Sequence, residues 1–400
     1  MSHSQNTFSR RHFIKALAGS SLVGAFSPSM SLAVPSQTNK KLVVIELSGA
    51  NDGLNTLVPY ANDAYYKVRP KIGIAASKVL KIDDAYGFNP GMKAFRDLYA
   101  NGQMAIVHGC GYAQPSLSHF TSMAYWHTGV PNGGERYGWL GRLSDALDES
   151  HRANFLVNID ERQSLAVTAK DHMPLVFDDP DRFIRKGLYQ SRSLLGMDHS
   201  LNASSEVLNY LNRADINARD ASQKIKAAWD GYKTTVDYGI NPMGLNKIAA
   251  MIAAGFDSRI YYTAYRHNAF DTHVQQVNLH QRLLMYVSDA VAAFMKDLKR
   301  LGHADDVTVL VFSEFGRRVA ENTSLGTDHG TANHMYVIGH NVKGGHYGVP
   351  PSLTDLDEGG NMKYTTDFRR VYASVIENWF GHKNSQSILY KDFERFQFWA

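Results

Sequence analysis

A long segment from Val274 to Leu301, whose Leu, Val, Ala and Met residues recur at helical spacing, runs into the Val-rich hexad Val307 to Phe312. Apolar side chains returning every three to four residues press one helix face against a core. An apolar run too short for a helix suits a strand covered on both faces. The same alternation recurs along the chain. Leu42 to Leu47 predicts the first strand, Pro90 to Asn101 an amphipathic helix, Gln103 to His108 a second strand, Tyr336 to Gly339 another, and Asp367 to Phe380 a closing helix. Short apolar runs interleaved with helical stretches predict an α/β fold, a mostly parallel sheet flanked by helices. Residues 200–239 are polar and helix-prone without a chemical motif, which predicts a helical insertion or lid. No internal repeat interrupts the pattern.

The start of the chain reads as an address. Ser9-Arg10-Arg11-His12-Phe13-Ile14-Lys15 fits the twin-arginine export consensus, a weakly apolar run follows, and Ser31-Leu32-Ala33 offers a small-residue cleavage site. Residues 1–33 are therefore expected to be a signal peptide and 34–400 one large domain, delivered to the periplasm or secreted by the twin-arginine translocase. No cysteine stands at the cleavage site, so no lipid anchor is expected. The apolar run is short and rich in Gly and Ser for a membrane span, so membrane attachment is expected only if the signal is retained.

Formal net charge is +4, and Arg10, Arg11 and Lys15 are the only charges of the leader, so the remaining 367 residues carry +1. A near-neutral chain without a Lys/Arg stripe has no long-range attraction for phosphate polymers, and no nucleic-acid partner is expected. Cys110 is the single cysteine, so no intrachain disulfide forms and core packing supplies the stability. That thiol is expected to be buried.

Residues that carry chemistry gather where strands should end, the edge at which open α/β sheets hold ligands. Ser48-Gly49-Ala50-Asn51-Asp52-Gly53-Leu54-Asn55 follows the first strand and is either a plain turn or a source of carboxylate and amide oxygens. After the second strand, Ser118 and His119 open a helix, with Ser118 either its N-cap or a nucleophile. Asp271 and His273 follow an alternating segment, Ser258 to Tyr265; if the backbone stays extended, their side chains share a face and can grip one ion. Glu314 follows the Val-rich strand and needs a partner, either a cation or Arg317 or Arg318. Asp328 and His329, with His334 close by, are ligands, or Asp328 orients an imidazole from behind. Carboxylates and neutral imidazoles are the usual ligands of divalent ions, which activate water or polarise an ester.

Taken together, Asn51 to Asn55, Ser118-His119-Phe120, Phe270 to His273, Ser313 to Arg317, Gly326 to Gly330 and Asp367 to Tyr372 resemble the domain of unknown function 1501 family over nearly the whole mature chain. That family is similar in fold to the alkaline phosphatase and sulfatase superfamily, whose members hold one or two metals at strand ends and attack phosphate or sulfate esters with Ser, Thr or a modified Cys. The resemblance implies an alkaline-phosphatase-like fold. It implies metal ligation by Asp52, Asp271, His273, Glu314, Asp328 and His329. Ser118, or His119 beside it, falls near the nucleophile, and Arg317 would neutralise the transferred group. Zinc, manganese, magnesium or calcium would be the ion, one rather than two, because Phe315 stands where phosphatases carry an imidazole. No Cys or Ser followed by x-Pro-x-Arg occurs around Cys110 or Ser118, which argues against a formylglycine sulfatase. The implied partner is an anionic small-molecule or polymer substrate. A non-catalytic binding or assembly protein on the same fold is the alternative, and a redox protein lacks any glycine fingerprint, haem motif or cysteine cluster.

Overall fold

A computed structural model describes residues 39–182 and 221–399. The leader and residues 200–220 of the expected insertion lie outside this range, while 221–231 are helical. Nine strands form the main sheet: β1 (Lys41–Leu47), β2 (Met104–Gly111), β3 (Leu156–Ile159), β4 (Leu175–Phe177), β5 (Ile260–Tyr265), β6 (Val307–Phe312), β7 (Asn333–Gly339), β8 (Gly345–Tyr347) and β9 (Thr366–Asp367). Their order is β8-β2-β7-β6-β1-β5-β3-β4, with β9 also paired to β2. Every pairing is parallel except the two made by β7, which runs antiparallel to β6 and β2. The helices include α1 (Gly53–Thr56), α2 (Lys93–Ala100), α3 (His119–Thr128), α4 (Trp139–Leu147), α5 (Leu245–Ala253), α6 (Gln276–Leu301), α7 (Arg369–Ser374) and the short α8 (Gln386–Leu389); a further short helix spans Asp63–Val68. The fold is thus the mostly parallel sheet flanked by helices that the sequence pattern predicts.

Strand periodicity decides which side chain faces which layer. Successive side chains of a strand point to opposite faces. On β1, Val43 and Ile45 join one apolar core with Leu284, Val287, Val291 and Phe294 of α6. Leu42 and Val44 join the other, with Trp126, Trp139 and the residues around α7. On β6 the split is Val307, Val309 and Val311 against Leu310 and Phe312. Both strands are buried throughout, which is why they read as mostly apolar runs rather than as alternation. The closing helix departs from its prediction. After α7 the chain widens into a π-turn at Val375–Trp379, while Phe368 stacks on Trp126 and Tyr372 on Trp139, each at 4.1 Å. Cys110 is buried, and burial pushes its thiol pKa up.

The topology also explains why distant motifs meet. β1, β2, β5 and β6 are mutually parallel, so the loops after Leu47, Gly111, Tyr265 and Phe312 leave the sheet at one edge. Because β7 is reversed, the residues just before Asn333 arrive at that same edge. A short ladder then fixes them: Arg317 and His329 pair as an isolated antiparallel bridge, with Arg318 N–H donating to Asp328 O at 2.9 Å and Gly330 N–H to Gly316 O at 2.9 Å. Among the described residues, no helix is long and apolar enough to cross a membrane.

Leu310, fully buried in the central sheet, sets a test of this layering. Leu310→Ala is expected to lower unfolding free energy by about 2–5 kcal/mol in urea titration. A loss well under about 1 kcal/mol would mean that the site is not a packed core position.

Candidate metal centre

The β5–α6 connection does not stay extended. It turns at Arg266 to Phe270, with left-handed backbone at His267 (φ 63°) and Asn268 (φ 48°). Gly49 (φ 110°) lets the loop after β1 lie against it: a Cβ there would stand 2.6 Å from both Asn268 O and Asp271 N. Asp271 and His273 nevertheless come together, with His273 Nε2 2.9 Å from Asp271 Oδ1.

Around that carboxylate three imidazoles converge. His329 Nε2 lies 3.1 Å from Asp271 Oδ1 and 3.0 Å from His273 Nε2. His119 Nε2 is 3.4 Å from Asp271 Oδ2 and, although buried, has no hydrogen-bond partner. His119, Asp271 and His329 offer donor atoms all within 4.8 Å of one another. Each ring is held from behind by an oxygen. His119 Nδ1–H donates to Glu314 Oε1 at 2.8 Å, His329 Nδ1–H donates to Leu117 O at 2.8 Å, and His273 Nδ1–H faces Asp328 Oδ1 at 3.4 Å. A carbonyl oxygen only accepts, so the proton of His329 sits on Nδ1 and its Nε2 carries a bare lone pair. Arg317 Nη1 lies 3.3 Å from His273 Nε2, an atom that also stands 2.9 Å from Asp271 Oδ1. The two Nε2 atoms are in hydrogen-bond contact at 3.0 Å, and both reach Asp271 Oδ1. An imidazole anchored at Nδ1 with Nε2 turned toward a carboxylate is the usual arrangement of a metal-ligating histidine. The donor set therefore fits a divalent ion. Phe315 packs under it, its ring 5.0 Å from His119 and 4.9 Å from His329.

Electrostatics keep the carboxylate charged. Burial raises the Asp271 pKa, but the Arg317 hydrogen bond and charge outweigh it and hold it down at about 2. The Glu314 hydrogen bond raises His119, so a proton competes there with any cation. Burial lowers His329.

Several expected roles change in the folded chain. Asp52 is not with the cluster. Its Oδ2 takes Arg69 Nη1 at 2.6 Å and Gln276 Nε2, and its Oδ1 caps α1 through Leu54 N–H, so a ligand role for Asp52 does not fit. Glu314 has no side-chain exposure and spends Oε1 on His119 and Gly49 N–H and Oε2 on Ser313, which makes it the orienter of His119 rather than a ligand. Asp328 accepts from Asn322 Nδ2 and orients His273, not His329. Arg317 does not fit as a clamp on a transferred group. Its fully buried guanidinium donates to Ala50 O, Gly49 O, Phe270 O, Thr327 O and Asp271 Oδ1, which leaves no N–H for a substrate. Ser118 sits at the N-cap position of α3, exposed, and its side chain makes no capping bond. His334 lies on β7 against His108, outside the cluster.

Two supports carried no sequence signal. Gln276 bridges Asp52 to Thr272 and Thr327, and buried Arg69 ties Asp52 to Val319 O and Arg318 O. Neither belongs to a motif.

With this geometry in view, the chain belongs to the family described as "Protein of unknown function (DUF1501)", whose profile matches residues 39–388. No curated protein sequence matches it significantly. Among solved structures it is similar to the C-terminal periplasmic domain of EcEptC from Escherichia coli in complex with Zn, at 9% identity and TM-score 0.41, covering 88% of each chain. It is also similar to a protein in the alkaline phosphatase superfamily from Vibrio parahaemolyticus, at 11% identity and TM-score 0.36, covering 77% of this chain and 62% of that one. A third is the phosphonate monoester hydrolase SpPMH from Silicibacter pomeroyi, at 11% identity and TM-score 0.37, covering 86% and 73%. Overlaps this shallow carry no information on chemistry.

The Asp271–Arg317 pair makes a pH prediction for the metal-free protein. A carboxyl depressed to about 2 when folded, against roughly 3.9 when unfolded, stabilises the fold above about pH 4, and this contribution is lost as pH falls from there through 2. Thermal melting between pH 5 and 2 is expected to fall more steeply for the parent than for Asp271→Asn. Parallel slopes would show that the pair contributes nothing.

Proposed function

We propose that this protein is an exported, metal-assisted hydrolase of anionic phosphate or sulfate esters. The observation that carries the reading is the convergence of three imidazole Nε2 atoms, those of His273 and His329 and the unpartnered one of His119, on the Asp271 carboxylate. His119, His273, His329 and Asp271 would hold one ion. An imidazole-rich set suits zinc or manganese better than calcium or magnesium. When bound, such an ion supplies Lewis-acid polarisation of an ester oxygen and lowers the pKa of water.

The chain's own residues supply the rest. Glu314, Leu117 O and Asp328 keep the three rings turned with Nε2 outward, so no rotamer search precedes binding. Arg317 keeps Asp271 ionised, and Phe315 excludes water from beneath the imidazoles. Ser118 Oγ has no base in hydrogen-bond contact among the described residues, so activated water is favoured over Ser118 as the attacking group. The half-exposed mouth of the cluster leaves room for an anionic substrate, small or polymeric. Export through the twin-arginine pathway, with 1–33 as signal and 34–400 as one domain bearing an insertion near 200–239, is part of the same proposal, since that route carries folded chains with their metal in place. A non-catalytic binding protein on this fold is the second reading, favoured by the apolar Phe315 at the floor of the cluster.

Elemental analysis after native export tests the reading. About one zinc or manganese per chain is expected, absent from His119→Ala/His329→Ala, with ester hydrolysis lost in parallel. Glu314→Gln is expected to weaken metal binding by about 10- to 100-fold. Ser118→Ala is expected to keep turnover. Metal bound without turnover on any phosphate or sulfate ester, or no metal in the parent, would overturn the hydrolase reading in favour of the binding protein.

A further inference from the structure

A second set of donors sits at the opposite edge of the sheet. His151 and His172 stand shortly before β3 and β4, which run parallel to each other and to β5 and β1, so both arrive at the amino-terminal edge, away from the His119–His273–His329 cluster. Asp145 reaches them from the last turn of α4. Asp145, His151 and His172 offer donor atoms all within 4.8 Å of one another. The rings of His151 and His172 lie 5.1 Å apart at 80°. Two imidazoles bound to one tetrahedral ion at about 2.0–2.1 Å hold their ring centroids roughly 5 Å apart, so this pair already stands at ligand spacing.

The charges there call for a cation. A helix C-terminus carries partial negative charge and disfavours carboxylates. Yet α4 ends on Asp145 and Asp148 with no basic residue in its last turn. Arg152 answers Asp148 at 3.1 Å. Among the described residues Asp145 has no Lys or Arg within ion-pair distance; its one cationic partner is His172, Nδ1 to Oδ1 at 2.9 Å, and only while that ring is protonated. The backbone N–H groups of Lys170 and His172 fix the carboxylate in place. His172 is buried, and its Nε2–H donates to Asp148 Oδ2 at 3.2 Å. A carboxylate behind one ring nitrogen, with the other turned to a donor set, is the arrangement of a metal-ligating histidine. An imidazolium shared by Asp145 and Asp148 would account for His172 alone. It leaves out His151, whose exposed ring packs edge-on to His172 and makes no hydrogen bond among the described residues.

We propose that Asp145, His151 and His172 form a second metal site, for zinc, with water completing a tetrahedral set. The ion clasps the connection between α4 and β3 to the one that leads into β4. It takes the place of the proton on His172 Nδ1, which leaves to solvent. With one ligand on an exposed loop the ion exchanges and is lost on dialysis, so it is separate from the ion that the His119–His273–His329 cluster retains. Neither the site nor its test depends on the hydrolase reading.

Calorimetric titration of zinc into the dialysed full mature chain is the experiment. One further zinc per chain is expected in the parent and, with affinity unchanged, in His119→Ala/His329→Ala. Affinity is expected to fall in His151→Asn by at least the roughly tenfold that follows loss of even an outer partner of a metal ligand. Asparagine tolerates the left-handed backbone at 151 (φ 51°), so the fold is kept. No uptake beyond the retained ion, equal affinity in His151→Asn, or loss of uptake in a double histidine variant that still melts cooperatively would each overturn the site. Zinc is also expected to raise the melting temperature of the parent and not that of His151→Asn, since an ion bound only by the folded chain stabilises it. An equal rise in both would overturn the clasp.

Discussion

The Arg317 guanidinium is the interaction on which the whole edge of the sheet depends. It follows β6, yet its N–H groups reach the loop after β1 at Gly49 and Ala50, the loop after β5 at Phe270 and Asp271, and the segment before β7 at Thr327. Four carbonyl oxygens and one carboxylate are satisfied by a single side chain. A planar cation with five donors in a fixed fork can do this, whereas an ammonium cannot. Without it, those loops would carry unpaired polar groups at a buried position, a cost of several kcal/mol in sum.

From that anchor the cluster is built outward in two layers. Asp271 is held ionised and pointed by Arg317, and the imidazoles are held by oxygen acceptors on three different segments: Glu314 after β6, Leu117 before α3, and Asp328 before β7. Ring orientation is therefore set by backbone placement rather than by the imidazoles themselves. Beneath this layer, Arg69, Asp52 and Gln276 form a buried chain of charge and hydrogen bonds that fastens α1 and the start of α6 to Thr272 and Thr327. A carboxylate that resembles a metal ligand in sequence thus works as a brace for the loops that carry the donors.

Much of the fold was legible in the residues. Buried strands such as Val307–Phe312 and the long amphipathic helix after them in space announce themselves through period and length, and β6 begins and ends where its apolar run does. The candidate site was legible by type: Asp271, His273 and His329 were marked as donors, and they meet. Their partners were not legible. Whether Glu314, Asp328 or Asp52 touches a cation or a protein donor depends on distances set by the crossing of several loops, and identical residue types serve both roles.

The sequence by itself determined the periodicities, and hence the layered α/β class, the buried cysteine, and which residues could bind a metal or orient a ligand, because these follow from side-chain chemistry and local spacing. Only the tertiary structure decided that β7 reverses and brings His329 to the edge where β1, β2, β5 and β6 end. Only there does His119 become a donor and Arg317 turn inward to the carbonyls. The reason is that strand order and crossing loops join residues far apart in the chain, and no local pattern records which neighbours they will meet.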